Sequence, residues 1–309
     1  MEQIKVKFET ITPIWTGDAW GENSEIRPSS IMGSLRFWFE VYCHFSGIEV
    51  KEKEELNYKK FIEKRKENPT KDEFEILQEL GITLSSQIFG CTGWKSRIEI
   101  EKIENNIETF ELENDNIDYN FLFNEDNNTK WWSNKLLFNE KDKITLFKSF
   151  DISFNITSNF ALNEFKKFLK FYQNKPILIG GKKAFGLGFV KLKTDIDLKD
   201  VKINIKNNDY IIWDKVEISN NKKILGYNIK YFLRQKEDKK YRVKNFGKMA
   251  QASNYYFSCI VDNECYIISF FGNRNILNKY KSFLKEELTN NIKQSSKNIN
   301  DLIQYFKNR

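Results

Sequence analysis

The chain opens on an alternation. Ile4, Val6 and Phe8 are apolar while Lys5, Lys7 and Glu9 are polar, the period-2 pattern of a half-buried strand over residues 3–11. Residues 12–26 break that pattern with Pro13, Gly17 and Gly21, carry Trp15 and Trp20, and read as a loop. Ser29 or Ser30 is then placed to cap a helix running to about Phe45. Its stripe is Ile31, Leu35, Trp38, Phe39 and Tyr42, and Gly47 ends it. Residues 51–80 are charged and interrupted at Asn68-Pro69, so they read as an inserted pair of solvent-facing helices or a single one. A strand is expected over 94–102. Residues 103–142, rich in Asn, Asp and Glu, read as loop with short strands. Residues 143–157 alternate through Ile144, Leu146, Phe150, Ile152, Phe154 and Ile156, which predicts one long strand. Leu162, Phe165, Phe168, Leu169 and Tyr172 predict a second amphipathic helix over 161–172, and 176–192 reads as an apolar run, a glycine-rich loop and a strand.

Strand–helix–strand–strand–helix–strand is the order of the ferredoxin-like split βαβ unit, so an α+β domain with insertions is expected over 1–195. In the remainder, a strand is predicted near Tyr210–Trp213 and more at Lys223–Leu233. A hairpin of Tyr255–Val261 and Cys265–Phe271 should turn at Asp262-Asn263-Glu264. Helices near Asn275–Leu288 and Asn300–Phe306 close the chain. Residues 196–309 thus predict a second, degenerate ferredoxin-like domain.

Composition narrows the function classes. The 309 residues are 40% hydrophobic and 15% aromatic, enough core material to exclude whole-chain disorder. The longest apolar stretches are strand-length, far below the ~18 residues a membrane-crossing helix needs, and the opening residues have no apolar core of a signal peptide. Cys43, Cys91, Cys259 and Cys265 are scattered without CxxC spacing, and His44 is the single histidine. A zinc site is therefore not expected, no other metal or cofactor is called for, and reduced thiols point to the cytoplasm. Net charge is +7, but it is uneven. Between Lys230 and Lys248 lie eight basic and two acidic residues, and between Lys175 and Lys193 five lysines and no acid. Residues 49–79, with eight basic and ten acidic residues, are nearly neutral. Basic excess beside aromatics fits a polyanion partner; a solvated lysine-rich surface has the same composition.

Three motifs carry candidate chemistry. Arg27-Pro28-Ser29-Ser30 opens a helix whose first-turn N–H groups lack intrahelical partners and favour an anion, with Arg27 outside that end and Arg36 two turns in. Spacing alone fits an ordinary capped helix with two surface arginines equally well. Gly90-Cys91-Thr92-Gly93-Trp94-Lys95-Ser96-Arg97 resembles a P-loop but fails its spacing, because Trp94 separates Gly93 from Lys95-Ser96. What remains is a tight turn entering a strand, with Trp94 as a stacking face or a core residue and Lys95 and Arg97 as phosphate contacts. Gly180-Gly181-Lys182-Lys183-Ala184-Phe185-Gly186-Leu187-Gly188 leads into a strand, which excludes a dinucleotide fingerprint, and lets backbone approach a ligand with two lysines at its tip; a plain turn is the alternative. Acidic stretches at 113–116 and 195–199 lack the ligand pattern of a calcium loop.

Taken in order, Thr12-Pro13-Ile14-Trp15-Thr16-Gly17, then 26–38, then Phe89–Arg97, then the glycine loop at 180–188, resemble the RAMP superfamily of CRISPR effector subunits. The resemblance is closest to the family of first subunits of the type III-B Cmr complex, and it spans about the first 190 residues. It implies RRM-like ferredoxin folds, usually two. It also implies a non-catalytic antiviral-defence subunit that helps hold the crRNA 3′-end region and captured target RNA. Its partners would be the backbone RAMP and the other capping RAMP, with no membrane. Carried onto this chain, the RNA-facing residues are Arg27, Ser29, Ser30, Arg36, Trp94, Lys95, Arg97, Gly181, Lys182 and Lys183, with Lys244 and Lys248 added from the basic segment. The intact RRM aromatic signature is missing from the sequence, so recognition on an open sheet is not assumed. Two rivals remain. One is a metal-independent RAMP endoribonuclease processing crRNA precursors, for which His44 would be the general base. The other is a purely structural assembly subunit.

Overall fold

The computed structural model describes residues 2–18, 21–104, 107–119, 129–206, 211–217, 224–247, 253–259, 264–270 and 273–286. Its elements begin with β1 (Glu2–Thr10), α1 (Pro28–Phe45), α2 (Tyr58–Glu67), α3 (Glu73–Glu79), α4 (Leu84–Phe89), β2 (Ile98–Ile103), β3 (Thr109–Glu113), α5 (Thr129–Leu136), β4 (Lys143–Phe147) and β5 (Phe150–Ile156). They continue with α6 (Asn159–Tyr172), β6 (Ile177–Leu178), β7 (Phe189–Thr194), β8 (Ile211–Glu217), α7 (Gly226–Gln235), α8 (Lys239–Phe246), β9 (Tyr255–Phe257), β10 (Glu264–Phe270) and α9 (274–286). No described helix is long and apolar enough to cross a membrane.

The chain forms two compact units that interleave in sequence. The first comprises residues 1–110, 146–181 and 188–208, and the second 111–145, 182–187 and 209–309.

In the first unit the sheet order is β2-β5-β1-β7-β6, with every neighbouring pair antiparallel. With β6 set aside as an added edge, and α1 following β1 and α6 following β5, this is the ferredoxin-like arrangement. The alternation of β1 decides which face is covered. Ile4, Val6 and Phe8 pair with Phe154, Ile152 and Phe150 and are at most 2% exposed. Phe154 meets Phe165 of α6 with ring centroids 5.5 Å apart. Helix α6 in turn meets α1, where Phe39 lies 5.8 Å from Phe168 and the Tyr172 hydroxyl donates to the Trp38 carbonyl at 2.9 Å. Trp38 Nε1 donates to Leu178 O at 2.9 Å, so the buried indole keeps a partner.

In the second unit the sheet order is β8-β10-β9, again antiparallel, with α7 and α8 between β8 and β9 and α9 after β10. These are three strands of the same plan in the same order. Its core gathers Val216, Ile229, Phe232, Phe246, Tyr255, Ile267 and Tyr280. β3 and β4 pair as a separate two-stranded ribbon.

Four expectations are corrected. The first helix starts at Pro28 with Arg27 as N-cap and no side-chain cap, so Ser29 and Ser30 lie inside its first turn. Proline's fixed φ and missing N–H suit that first position. The long strand over 143–157 is two strands, because Phe147 exchanges backbone hydrogen bonds with Ile14 and Ser149 Oγ accepts from the Thr10 amide at 3.0 Å, turning the chain between them. Where strands are expected at Lys223–Leu233, helix α7 (Gly226–Gln235) takes up residues from Gly226 on, with Ile229, Phe232 and Leu233 buried at helical spacing. Within the stretch read as loop, 129–136 is helix α5. The hairpin turn at 262–263, the helix expected near 300–306 and Trp20 lie outside the described residues.

Candidate nucleic-acid interface

Three segments of the first unit are stitched together at the start of α1. Buried Thr16 organises the loop before it: its amide donates to Asn23 Oδ1 at 2.8 Å, its hydroxyl donates to Glu25 O at 2.8 Å, and that hydroxyl accepts from the Arg27 amide at 3.3 Å. The glycine loop joins from the other side. Gly180 N donates to Ser34 Oγ at 3.2 Å, Gly181 N to Trp15 O at 2.7 Å, and Gly188 N to Pro13 O at 2.9 Å. A Cβ on Gly181 would sit 2.7 Å from the Trp15 ring and one on Gly17 only 2.1 Å from it, so both glycines are needed for the indole to lie where it does. The result is an eighteen-residue helix whose first turn holds no acidic residue, with Ser29 exposed and Ser30 half-buried beside it. Arg27 stays partly exposed and meets Asp18 at 3.4 Å.

The middle motif is placed differently. Arg36 spends its guanidinium inside the unit, with Nη1 on Gly90 O at 2.7 Å, Nη2 on Ser86 Oγ at 3.0 Å and Nε on Glu40 at 3.0 Å. Trp94 is 8% exposed, donates its Nε1 to Gln87 O at 3.0 Å and packs against Phe61. Arg97 covers its ring at 4.1 Å and pairs with Glu73 at 3.0 Å. Of the residues expected to face RNA, Arg36, Trp94 and Arg97 thus make these contacts within the unit: the tight turn folds Trp94 inward, Arg97 covers its ring, and Arg36 ties α1 to the end of α4. Lys95 is the outward residue of this motif, paired with Glu99 on the surface.

The tip of the glycine loop belongs to the second unit. Lys182 adopts a left-handed conformation with φ of 54° and donates to Leu136 O. Burial holds the ammonium groups of both Lys182 and Lys183 below the ordinary lysine range. Lys244 is exposed on α8, and Lys248 lies outside the described residues.

His44 is exposed in the last turn of α1. Sixteen residues of helix put it about 24 Å from Pro28 at the other end of α1.

Sequence reasoning missed the half-buried face of α7, formed by Tyr227, Lys230, Tyr231 and Arg234. The signal was present: those four recur at i, i+3, i+4 and i+7, the spacing of one helix face, inside a segment read as strands.

Residues 7–191 match the RAMP superfamily. No curated protein sequence matches the chain. Among solved structures it is similar to the crystal structure of apo Cmr1 from Pyrococcus furiosus, with a TM-score of 0.48 and 16% identity over 88% of this chain and 89% of that one.

Proposed function

The chain belongs to the RAMP superfamily, and on that premise we propose that it is an RNA-binding, non-catalytic subunit of a type III-B CRISPR (Cmr) effector complex in the cytoplasm. In this reading it holds the crRNA 3′-end region and captured target RNA, beside the backbone RAMP and the other capping RAMP. The two-copy division at 195/196 is part of the same proposal. The observation that carries it is the joining of the glycine loop to the start of α1 through Gly180, Gly181 and Gly188. Pro28 brings no N–H and the Ser30 and Ile31 amides donate to Arg27 O, so the donors this gathering offers to phosphate and ribose 2′-OH at the start of α1 are the Ser29 amide, the Arg27 guanidinium and the serine hydroxyls. Lys182, Lys183, Lys95 and Lys244 are the further RNA-facing cations of the proposal.

The test is the effector complex assembled with the chain carrying Lys182→Ala and Lys183→Ala. RNA affinity should fall, and the log–log salt slope should shrink by roughly 0.7 for each phosphate that is no longer neutralised. Unchanged affinity and slope reject the assignment of these lysines. The endoribonuclease alternative is tested by incubating the chain with a repeat RNA without metal. Specific cleavage abolished by His44→Ala would replace the binding reading.

A further inference from the structure

We propose that the half-buried face of α7, Tyr227, Lys230, Tyr231 and Arg234, joins Lys183 of the glycine loop as a strip that grips a single RNA strand. This site extends the RNA reading into the second unit and rests on it.

Four observations lead there. First, the helix has one-sided chemistry. Gly226, Asn228, Ile229, Phe232 and Leu233 face the core, leaving two cations and two tyrosines alternating along the other side. Lys230 and Arg234 are one turn apart, about 6 Å along the axis, a step that suits neighbouring phosphates of an extended strand.

Second, the loop and the helix are locked together. Phe185 lies against Tyr227 with centroids 5.2 Å apart. A Cβ on Gly226 would stand 2.9 Å from Gly186 Cα and 1.9 Å from Phe257 O. Cys259 N donates to Gly186 O at 3.0 Å, which pins the loop from a third side. The tip carrying Lys183 is therefore a fixed neighbour of α7.

Third, the cations lack counter-charge. Elsewhere in this unit lysines pair with acids: Lys215 with Glu264, Lys279 with Glu237 at 3.1 Å, and Lys281 with Asp214 at 2.8 Å. Among the described residues, Lys183, Lys230 and Arg234 make no ion pair. Burial, with the field of Arg234 added, pushes Lys230 down to about 8, and burial lowers Lys183. An incoming phosphate supplies the charge that would hold both protonated.

Fourth, Tyr227 and Tyr231 stack with centroids 6.4 Å apart and an interplanar angle of 18°. Flat rings interleaved with cations are the arrangement that takes bases and backbone of a single strand together; an acidic peptide has no use for the rings.

The experiment measures binding of a fluorescein-labelled oligouridine to the full-length chain across a salt series. Lys230→Met with Arg234→Met should weaken binding at least tenfold and reduce the log–log slope by about 1.4, two phosphates at 0.7 each. Lys230→Arg alone should retain affinity, because charge is kept. Tyr227→Leu with Tyr231→Leu should weaken binding without changing the slope. Far-ultraviolet circular dichroism checks that each variant is folded, and Lys230→Gln with Arg234→Gln is the second pair should the methionines disturb packing. If the α7 pairs bind with wild-type affinity and slope while Lys182→Ala with Lys183→Ala is impaired, this strip is refuted and the RNA reading stands. A wild-type chain that does not bind oligouridine overturns both. Displacement of the oligouridine by polyglutamate at equal charge overturns the strip in favour of an acidic-peptide site.

Discussion

Replacing Arg36 by methionine separates a structural arginine from an RNA ligand. The guanidinium is half-buried, and its three bonds differ in worth. The Glu40 pair, with both side chains about a quarter to a third exposed, contributes a few tenths of a kcal/mol. The bond to Ser86 Oγ is charge-assisted, and the bond to Gly90 O also neutralises the C-terminal carbonyl end of α4, where a cation is favourable. Removing them leaves the buried Gly90 segment with an unsatisfied acceptor, which costs about 1–3 kcal/mol by itself. Methionine restores the apolar volume of the stem but no donor. The net expectation is a destabilisation of about 3 kcal/mol, with lysine at the same position costing about half of that because it keeps the charge without the fork. Urea unfolding followed by tryptophan fluorescence reads it directly, since Trp94 lies in the affected region. With a slope of about 2 kcal/mol per molar, the midpoint should drop by roughly 1–2 M. Arg27→Met and Lys95→Met, in exposed pairs, are the controls and should move it little. An Arg36→Met chain with an unchanged midpoint and weakened RNA binding would refute the reasoning and return Arg36 to the RNA-facing set.

Other expectations follow from the same geometry. Gly188 has φ of +78° and an added Cβ would fall 2.1 Å from Ile179 O, so Gly188→Ala should lower the thermal midpoint by several degrees. Because the folded state holds Lys230 at about 8 while the unfolded chain holds it near 10.5, the unfolded state binds more protons between those values. Stability should therefore rise with pH through that window, by at most about 1.4 kcal/mol per pH unit, and denaturant titrations should show the rise reduced in Lys230→Met. Cys43 and Cys265 are fully buried, with burial pushing the Cys265 thiol up to about 12 and Cys43 higher still. Neither should react with a chromogenic disulfide reagent at pH 8 until denaturant is added, and mass spectrometry of the labelled chain checks which thiols responded.

The first unit was legible because its strands are covered on one face and its helices are amphipathic. Ile4, Val6 and Phe8 marked out β1, and the stripe from Ile31 to Tyr42 marked out α1, with no need of tertiary information. The breaks were less legible where another segment imposed them, as Ile14 and Thr10 do on the run from Lys143 to Ile156. At α7 the period was misjudged, since strand-favouring residues such as Tyr227, Ile229, Tyr231 and Phe232 mask a helix whose buried positions declare it only once the core is known. Among the proposed RNA-facing residues, the positions of Arg27 and Ser29 at the start of α1 and of the lysines in the glycine loop could be read from Pro28 and the glycines. The fates of Trp94 and Arg97 could not, because a tight turn with a tryptophan is the same string whether the ring points in or out.

The charged excursion after α1 has an engineering consequence. The carboxylate of Glu54 accepts from the Thr83 amide at 2.7 Å, from the Thr83 hydroxyl, and from Ser86 Oγ at 2.5 Å, so it serves as the start signal of α4 from thirty residues away. Leu56 N then bonds Thr92 O at 2.8 Å and ties the same strap to the turn beyond that helix. A trimmed chain lacking 49–80 would lose both fastenings at once, and the polar ends of α4 would be left facing solvent that the intact protein keeps away. Any minimal version has to keep residues 54–56, or supply a carboxylate in their place.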